Sequence, residues 1–139
     1  MMGKQDFKKL IVWQRAKDLA VFVYRFSSDG ALGNDFSLRD QIRRSAVSVA
    51  SNLAEGNERD TDKESVRFFY IAKGSLGELR TQLQIAFETG QVHRQIYERV
   101  ETESQALAKM IGRLIQARFH TSRLVPRAPR PALSKNGVR

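Results

Sequence analysis

The sequence predicts an all-α fold, an antiparallel up-down-up-down four-helix bundle followed by a flexible basic tail. Three observations carry that prediction. Apolar residues recur every three and four positions over four long stretches, no stretch of useful length shows the two-residue period of a strand, and the connections are short. Helices joined by short connections pack beside their sequence neighbours in alternating directions. The 139 residues suit one domain and one core. We divide them into a bundle over residues 1–119 and a proline-containing tail over 120–139.

The first predicted helix spans about Leu10 to Ser27, with Trp13, Ala16, Ala20 and Val23 on one stripe and Leu19, Phe22 and Phe26 widening it. "SSDGALGND" then reads as a loop, with Gly30 and Gly33. Ser37 is the expected N-cap of a second helix over Leu38 to Glu55, with Asp40 favourably placed for the helix dipole. Gly56 is the expected C-terminal stop. Thr61 opens the third helix with a capping box, "TDKE", in which Glu64 reaches back to the amide of Thr61. Its core stripe includes Phe68, Phe69, Ala72, Leu76, Leu79, Leu83, Ala86 and Phe87, and it stops near Gly90. The fourth runs from Arg94 to Phe119, with Ile96, Val100, Leu107, Ile111, Leu114 and Ile115 inside. The remainder holds all three prolines and five basic residues without an acid, and it reads as flexible.

The composition narrows the chemistry. There is no cysteine, which excludes disulfides, thiolate metal sites and thiol nucleophiles and fits a reducing cytoplasm. No signal-peptide core fits the amino terminus, and the longest apolar run, Leu19 to Val23, is far too short for a membrane span. We therefore expect no membrane partner. The formal charge is +9, of which residues 1–118 carry +4 and residues 119–139 carry +5. Such a balance points to a polyanion, nucleic acid before anionic membrane.

"SAVSVASNLAEGNER", residues 45–59, is a helix with little bulk. Leu38, Ile42, Ala46, Val49 and Leu53 form its core stripe, and Val47, Ala50 and Ala54 form a second apolar strip beside it. The third helix likewise carries Gly74, Gly77 and Thr81 off its core stripe. Two interior glycines cost roughly 1 kcal/mol each relative to alanine, and close helix–helix approach is the usual compensation. That approach is either a tight crossing inside the bundle or a contact with a neighbouring subunit.

"FKKLIVWQRAKDLAVFVY", "LRDQIRRSAVSVASNLAEGNER" and "RFFYIAKGSLGELRTQLQIA" resemble the 23S rRNA intervening-sequence proteins. The resemblance covers about Asp6 to Val92. It is most specific in N-x-A-E-G (Asn52, Ala54, Glu55, Gly56) followed by Arg59, and in A-x-G-S-x-x-E-L (Ala72 to Leu79). The last helix is similar only in pattern, and the tail lies outside the resemblance. The resemblance implies a compact antiparallel bundle assembled as a ring of five. Some members are encoded inside insertions of ribosomal RNA genes. A similar bundle is the accessory protein of diversity-generating retroelements, where it works with nucleic acid and a reverse transcriptase.

Glu55 and Glu78 are the carboxylates on which the resemblance falls. A carboxylate pair can serve acid–base chemistry or a metal, but His93 and His120 are not at ligand spacing and no phosphate loop or nucleophile elbow is present. We expect no catalytic residue, no metal and no cofactor. The expected role is a structural polar cluster of Arg44, Asn52, Glu55, Arg59, Ser75 and Glu78, with the acids paired to arginines. The expected nucleic-acid-binding residues are Arg39 and Arg43, Lys73 and Arg80, and Arg123, Arg127 and Arg130 of the tail. Without aromatic interleaving or a recognition helix, binding by charge and shape is expected, RNA favoured over DNA. The rival expectation is a protein scaffold or accessory subunit of a larger nucleic-acid enzyme.

Overall fold

Asp6 caps a single 3-10 turn, Phe7–Lys9, by accepting from the Lys8 amide, and Leu10 then turns the chain into α1, Ile11–Phe26. This structure, a computed structural model, describes residues 5–124, with side chains as far as residue 119. All elements among the described residues are helical: α1, then α2 (Gly30–Asn34), α3 (Phe36–Asn57), α4 (Asp62–Glu88) and α5 (Arg94–Leu124). None of these helices is long and apolar enough to cross a membrane.

The segment read as a loop contains α2, one short turn of helix. Gly30 enters it at φ 71°, which an L side chain rarely adopts. Gly33 lies so close to the Ser28 backbone that a Cβ would sit 2.9 Å from its carbonyl. Leu32 is the turn's apolar anchor and is buried. The cap of α3 is Asp35, not Ser37: its carboxylate accepts from the Leu38 amide at 3.1 Å, while its own amide closes α2 onto Ala31 and Leu32. One residue thus ends a helix and starts the next. Thr61 caps α4 through the Glu64 amide at 3.2 Å. α5 runs to Leu124, five residues past the expected end, because "HTSRL" contains neither glycine nor proline and Pro126 comes only later. Residues 120–124, assigned by sequence to the tail, are therefore helical in backbone.

The four long helices surround one core. α3 packs against α1 and α4, and α5 packs against α4 and α1. Ile42, Val49 and Leu53 of α3 meet Phe69, Leu76, Leu79 and Leu83 of α4, with Val23 of α1 and Val100, Leu107 and Ile111 of α5, all essentially inaccessible. Polar links fix the register. The Ser45 hydroxyl donates to Gln82 Oε1 at 2.9 Å, Ser48 and Ser75 share a 2.8 Å hydrogen bond, and Arg15 pairs with Glu103 at 2.7 Å.

Gly56 is not a stop. It lies inside α3, fully covered, and a Cβ there would sit 2.6 Å from Cε1 of the buried Phe69 ring and 3.0 Å from the Ser65 carbonyl. The ring fills the place of a side chain. Gly56→Ala forces that ring or the helices apart, an overpacking that costs about 1–3 kcal/mol. The expected result is a lowered melting temperature with unchanged helix content by circular dichroism.

Candidate nucleic-acid interface

The basic residues singled out by sequence separate into engaged and free groups. Arg39 and Arg43, four apart on α3, both turn toward the protein. Arg39 donates to Asp40 at 3.0 Å and to the Gly33 carbonyl at 3.2 Å, and stacks 4.7 Å from the Phe36 ring. Arg43 donates to Ser27 Oγ at 2.8 Å and to the Tyr24 carbonyl at 3.2 Å, with its guanidinium 4.5 Å from the Tyr24 ring. It neutralises the carbonyl end of α1, where a cation favours the helix dipole. Both residues fasten the α1–α2–α3 corner, which is a different use from tracking phosphates.

Arg80 makes a two-pronged contact with Glu101 of α5, at 3.0 and 2.6 Å. These hydrogen bonds hold the Glu101 carboxyl below its usual range, against its partial burial, with a further bond from Gln105. The same pairing raises the Arg80 pKa. A carboxyl depressed in the folded state stabilises the fold above its unfolded pKa, about 4.3, and that contribution is lost as pH falls through the folded value. Thermal melts of the parent and Glu101→Gln should therefore differ at neutral pH, and the gap should close on acidification below about pH 4. A gap that is constant with pH would contradict the pairing. Lys73, about two turns away, is exposed and has no ion pair among the described residues, so the predicted Lys73–Arg80 line holds one free cation. Arg123 lies on α5 with its side chain outside the described part, and Arg127 and Arg130 lie outside the described residues.

The predicted polar cluster is brought together only in part. Asn52 donates to Ser48 at 2.9 and 3.0 Å, and Ser48 is joined to Ser75, so three small polar residues zip α3 to α4. Glu55 pairs with Arg59 one turn on, and Arg59 also lies 4.6 Å from the Phe68 ring. Glu55 is half exposed, and Glu78 and Arg44 are exposed with no ion pair among the described residues. The arginine partner expected for Glu78 is absent because residue 78 shares the outer arc of α4 with Gly74, Gly77 and Thr81. A half-exposed i,i+4 pair is worth about 0.3–0.5 kcal/mol, so Glu55→Gln should barely move the melting temperature.

Two unpartnered apolar faces stand out. The first is a groove of about 720 Å³ between α1 and α3, walled by Trp13, Val21 and Tyr24 on one side and Val47, Ala50 and Ala54 on the other. Lys17 and Arg25 stand on its rim. The second is the outer arc of α4, where Tyr70, Ile71 and Ile85 are 52, 43 and 48% exposed. Gly74 and Gly77 lie on that arc, and a Cβ on either would meet nothing within 4 Å. The alternative of a tight crossing inside the bundle is thereby removed for both glycines. Among the described residues, no three His, Asp or Glu side chains gather as a metal-binding group.

The model of a protein family described as "23S rRNA-intervening sequence protein" matches residues 8–113. The crystal structure of a protein of unknown function from the S23 ribosomal protein family of Bacteroides thetaiotaomicron is similar in fold. Its TM-score is 0.70 at 22% identity, over 76% of this chain and 98% of that one. No curated protein matches the chain.

Proposed function

Because the chain belongs to the 23S rRNA-intervening sequence protein family, we propose that it is a non-enzymatic, homo-oligomeric RNA-binding protein of the cytoplasm, its subunits antiparallel up-down-up-down four-helix bundles. The orientation is supported by how residue numbers pair across each contact. Ser45 meets Gln82 while Gly56 meets Phe69, Arg80 meets Glu101 while Asp62 meets Arg118, and Ser27 meets Arg43 while Gln5 meets Asn57. Rising numbers on one side face falling numbers on the other.

Assembly is supported by the two apolar faces. A ring needs a heterologous interface, in which one patch of each subunit meets a different patch of the next. The α1–α3 groove is concave and basic at its rim; the α4 arc is apolar, lets a backbone approach at its glycines, and carries the unpaired Glu78. Five subunits follow from the family resemblance, and light scattering at micromolar concentration should report about five chain masses.

The observation that carries the binding reading is the net charge of +9. Phosphate is the abundant counter-charge in the cell's nucleic acids, and identical basic elements repeated around a ring add weak contacts through multivalency. RNA is favoured over DNA by the family's description. A non-enzymatic role is supported by Glu55 and Glu78, which stay on the surface, one tied to Arg59. Titration of a structured RNA hairpin with the full chain at several salt concentrations tests the reading: strongly salt-dependent binding is expected. Absence of binding at low salt leaves the second reading, a scaffold or accessory subunit of a nucleic-acid enzyme, in which the outer surface of the assembly receives that other protein.

A further inference from the structure

We propose that the outer face of the C-terminal half of α5, centred on Lys109, Gly112, Arg113 and Gln116, is the surface that tracks the RNA phosphate backbone. The proposal rests on the RNA-binding reading above and says where on the folded body that binding occurs.

The placement begins with charge. Glu103 is the last acidic residue of the chain, and eight basic residues follow it. The first half of α5 uses its acids on neighbours: Glu98 pairs with Arg94, Glu101 with Arg80 and Glu103 with Arg15. Beyond that point a basic residue of α5 finds no acid on its own helix. Arg118 reaches across to Asp62 at 3.9 Å and lies against the Phe69 ring. Lys109 and Arg113 are exposed and make no ion pair among the described residues.

Geometry adds to charge. Residues 109, 113 and 116 follow one another at i, i+4 and i+7, so they line one face with roughly one donor-bearing side chain per turn. They surround a shallow depression of about 680 Å³, whose lining of Lys109, Gly112, Arg113, Gln116 and Ala117 contains no acid. Gly112 forms its floor, and a Cβ there would meet nothing within 4 Å. The glycine is not needed for packing inside the subunit, and it lowers helix propensity by roughly 1 kcal/mol. It leaves room for a sugar–phosphate chain to approach the helix backbone between the two cations. The carboxamide of Gln116 supplies donors without charge. Phosphate contacts of this type position a ligand without reading its bases.

The face is also free in the proposed ring. The assembly faces belong to α1 and α3 on one side and α4 on the other, so α5 remains open on every subunit. Arg80 is withdrawn by Glu101, and Arg39 and Arg43 are withdrawn by the α1–α2–α3 corner. The α1–α3 groove is also lined without an acid but is taken up by the proposed assembly, whereas this strip is an acid-free depression outside it.

The test is a fluorescence titration of a labelled RNA hairpin with the full chain, at several salt concentrations. Three proteins are compared: the parent, Lys109→Glu with Arg113→Glu, and a control with the same charge change at the other end of α5, Arg94→Glu with Arg99→Glu. The strip variant should lose on the order of tenfold or more in affinity at moderate salt and flatten the salt slope by about 1 per residue for each engaged subunit. The control should change affinity less and leave most of the slope. A third variant guards against misfolding: Gly112→Leu removes no charge and no packing, should raise the melting temperature, and should still weaken binding by filling the depression. If the strip pair weakens binding no more than the control pair, the proposal is overturned while RNA binding stands. If the parent itself does not bind RNA at low salt, the RNA-binding reading fails and the proposal falls with it.

Discussion

Val47→Lys and Ile71→Lys should each convert the proposed oligomer to monomers, and mixing the two variants should restore a dimer and nothing larger. Val47 lines the α1–α3 groove and Ile71 lies on the α4 arc, and both are about two-fifths exposed in the isolated subunit. A lysine at either place therefore leaves the subunit core intact, since exposed substitutions outside special features move stability by about 0.5 kcal/mol or less. In the proposed assembly the same lysine would enter an apolar contact and lose its water without a partner, which costs several kcal/mol. A heterologous ring repeats that cost at every interface, so a single substitution removes all of them. The mixture separates this geometry from a two-fold interface. The Val47→Lys subunit keeps its α4 arc, the Ile71→Lys subunit keeps its groove, and one good interface joins them. Sedimentation of the separate and mixed variants reads the outcome. A single variant that still assembles, or a mixture that restores the full mass, would contradict the assignment of these two faces.

RNA affinity should fall by roughly 10³ to 10⁵ between 50 and 200 mM salt if 6 to 10 phosphates are contacted. The expectation follows from the proposed binding by a basic chain whose sequence shows no stacking platform and no recognition-helix signature, so that released counterions would supply most of the binding energy. The proposed ring would multiply the contacts of each subunit, so the slope of log affinity on log salt should drop when that assembly is broken by Val47→Lys. Preference among hairpins of equal length but different sequence should be slight. A shallow slope with strong sequence preference would mean base readout, for which this surface provides no groove-entering element.

Much of the fold was legible because helical periodicity is a local signal. The core stripe of Ile42, Ala46, Val49 and Leu53 on α3 and that of Leu76, Leu79 and Leu83 on α4 are buried as their spacing requires. The features that were missed depend on partners distant in sequence. A glycine ending a small-residue run reads as a helix stop, and only the register of α4 on α3 shows the Phe69 ring above Gly56. Ser37 and Asp35 are both competent caps, and the choice was made by the α2 turn that Asp35 also closes. α2 itself has one apolar anchor, Leu32, in five residues, too few for any period to show.

The site was less legible than the fold, for the same reason. A basic residue on a helix looks alike in sequence whether it meets solvent, a phosphate or a neighbour. Arg43 meets Ser27 and Tyr24, 16 and 19 residues away, and Arg80 meets Glu101, 21 residues away. The strip on α5 did leave a trace, in the spacing of Lys109, Arg113 and Gln116 and in the lack of any acid after Glu103. Its significance depends on knowing that the cations named on α3 and α4 are mostly occupied. The small-residue faces of α3 and α4 were visible as pattern; that Gly74 and Gly77 of α4 lie open, while Ala50 of α3 is buried facing α1, is a fact of packing.

The most direct test of the central claim is analytical ultracentrifugation of the full chain with a fluorescent RNA hairpin, following the RNA at 50 and 200 mM salt. At low salt the RNA should sediment with an assembly of about five chains, and at the higher salt it should sediment largely alone while the protein keeps its assembled mass. RNA that sediments alone at low salt, or that travels with a single chain, would contradict an oligomer that binds RNA through repeated phosphate contacts.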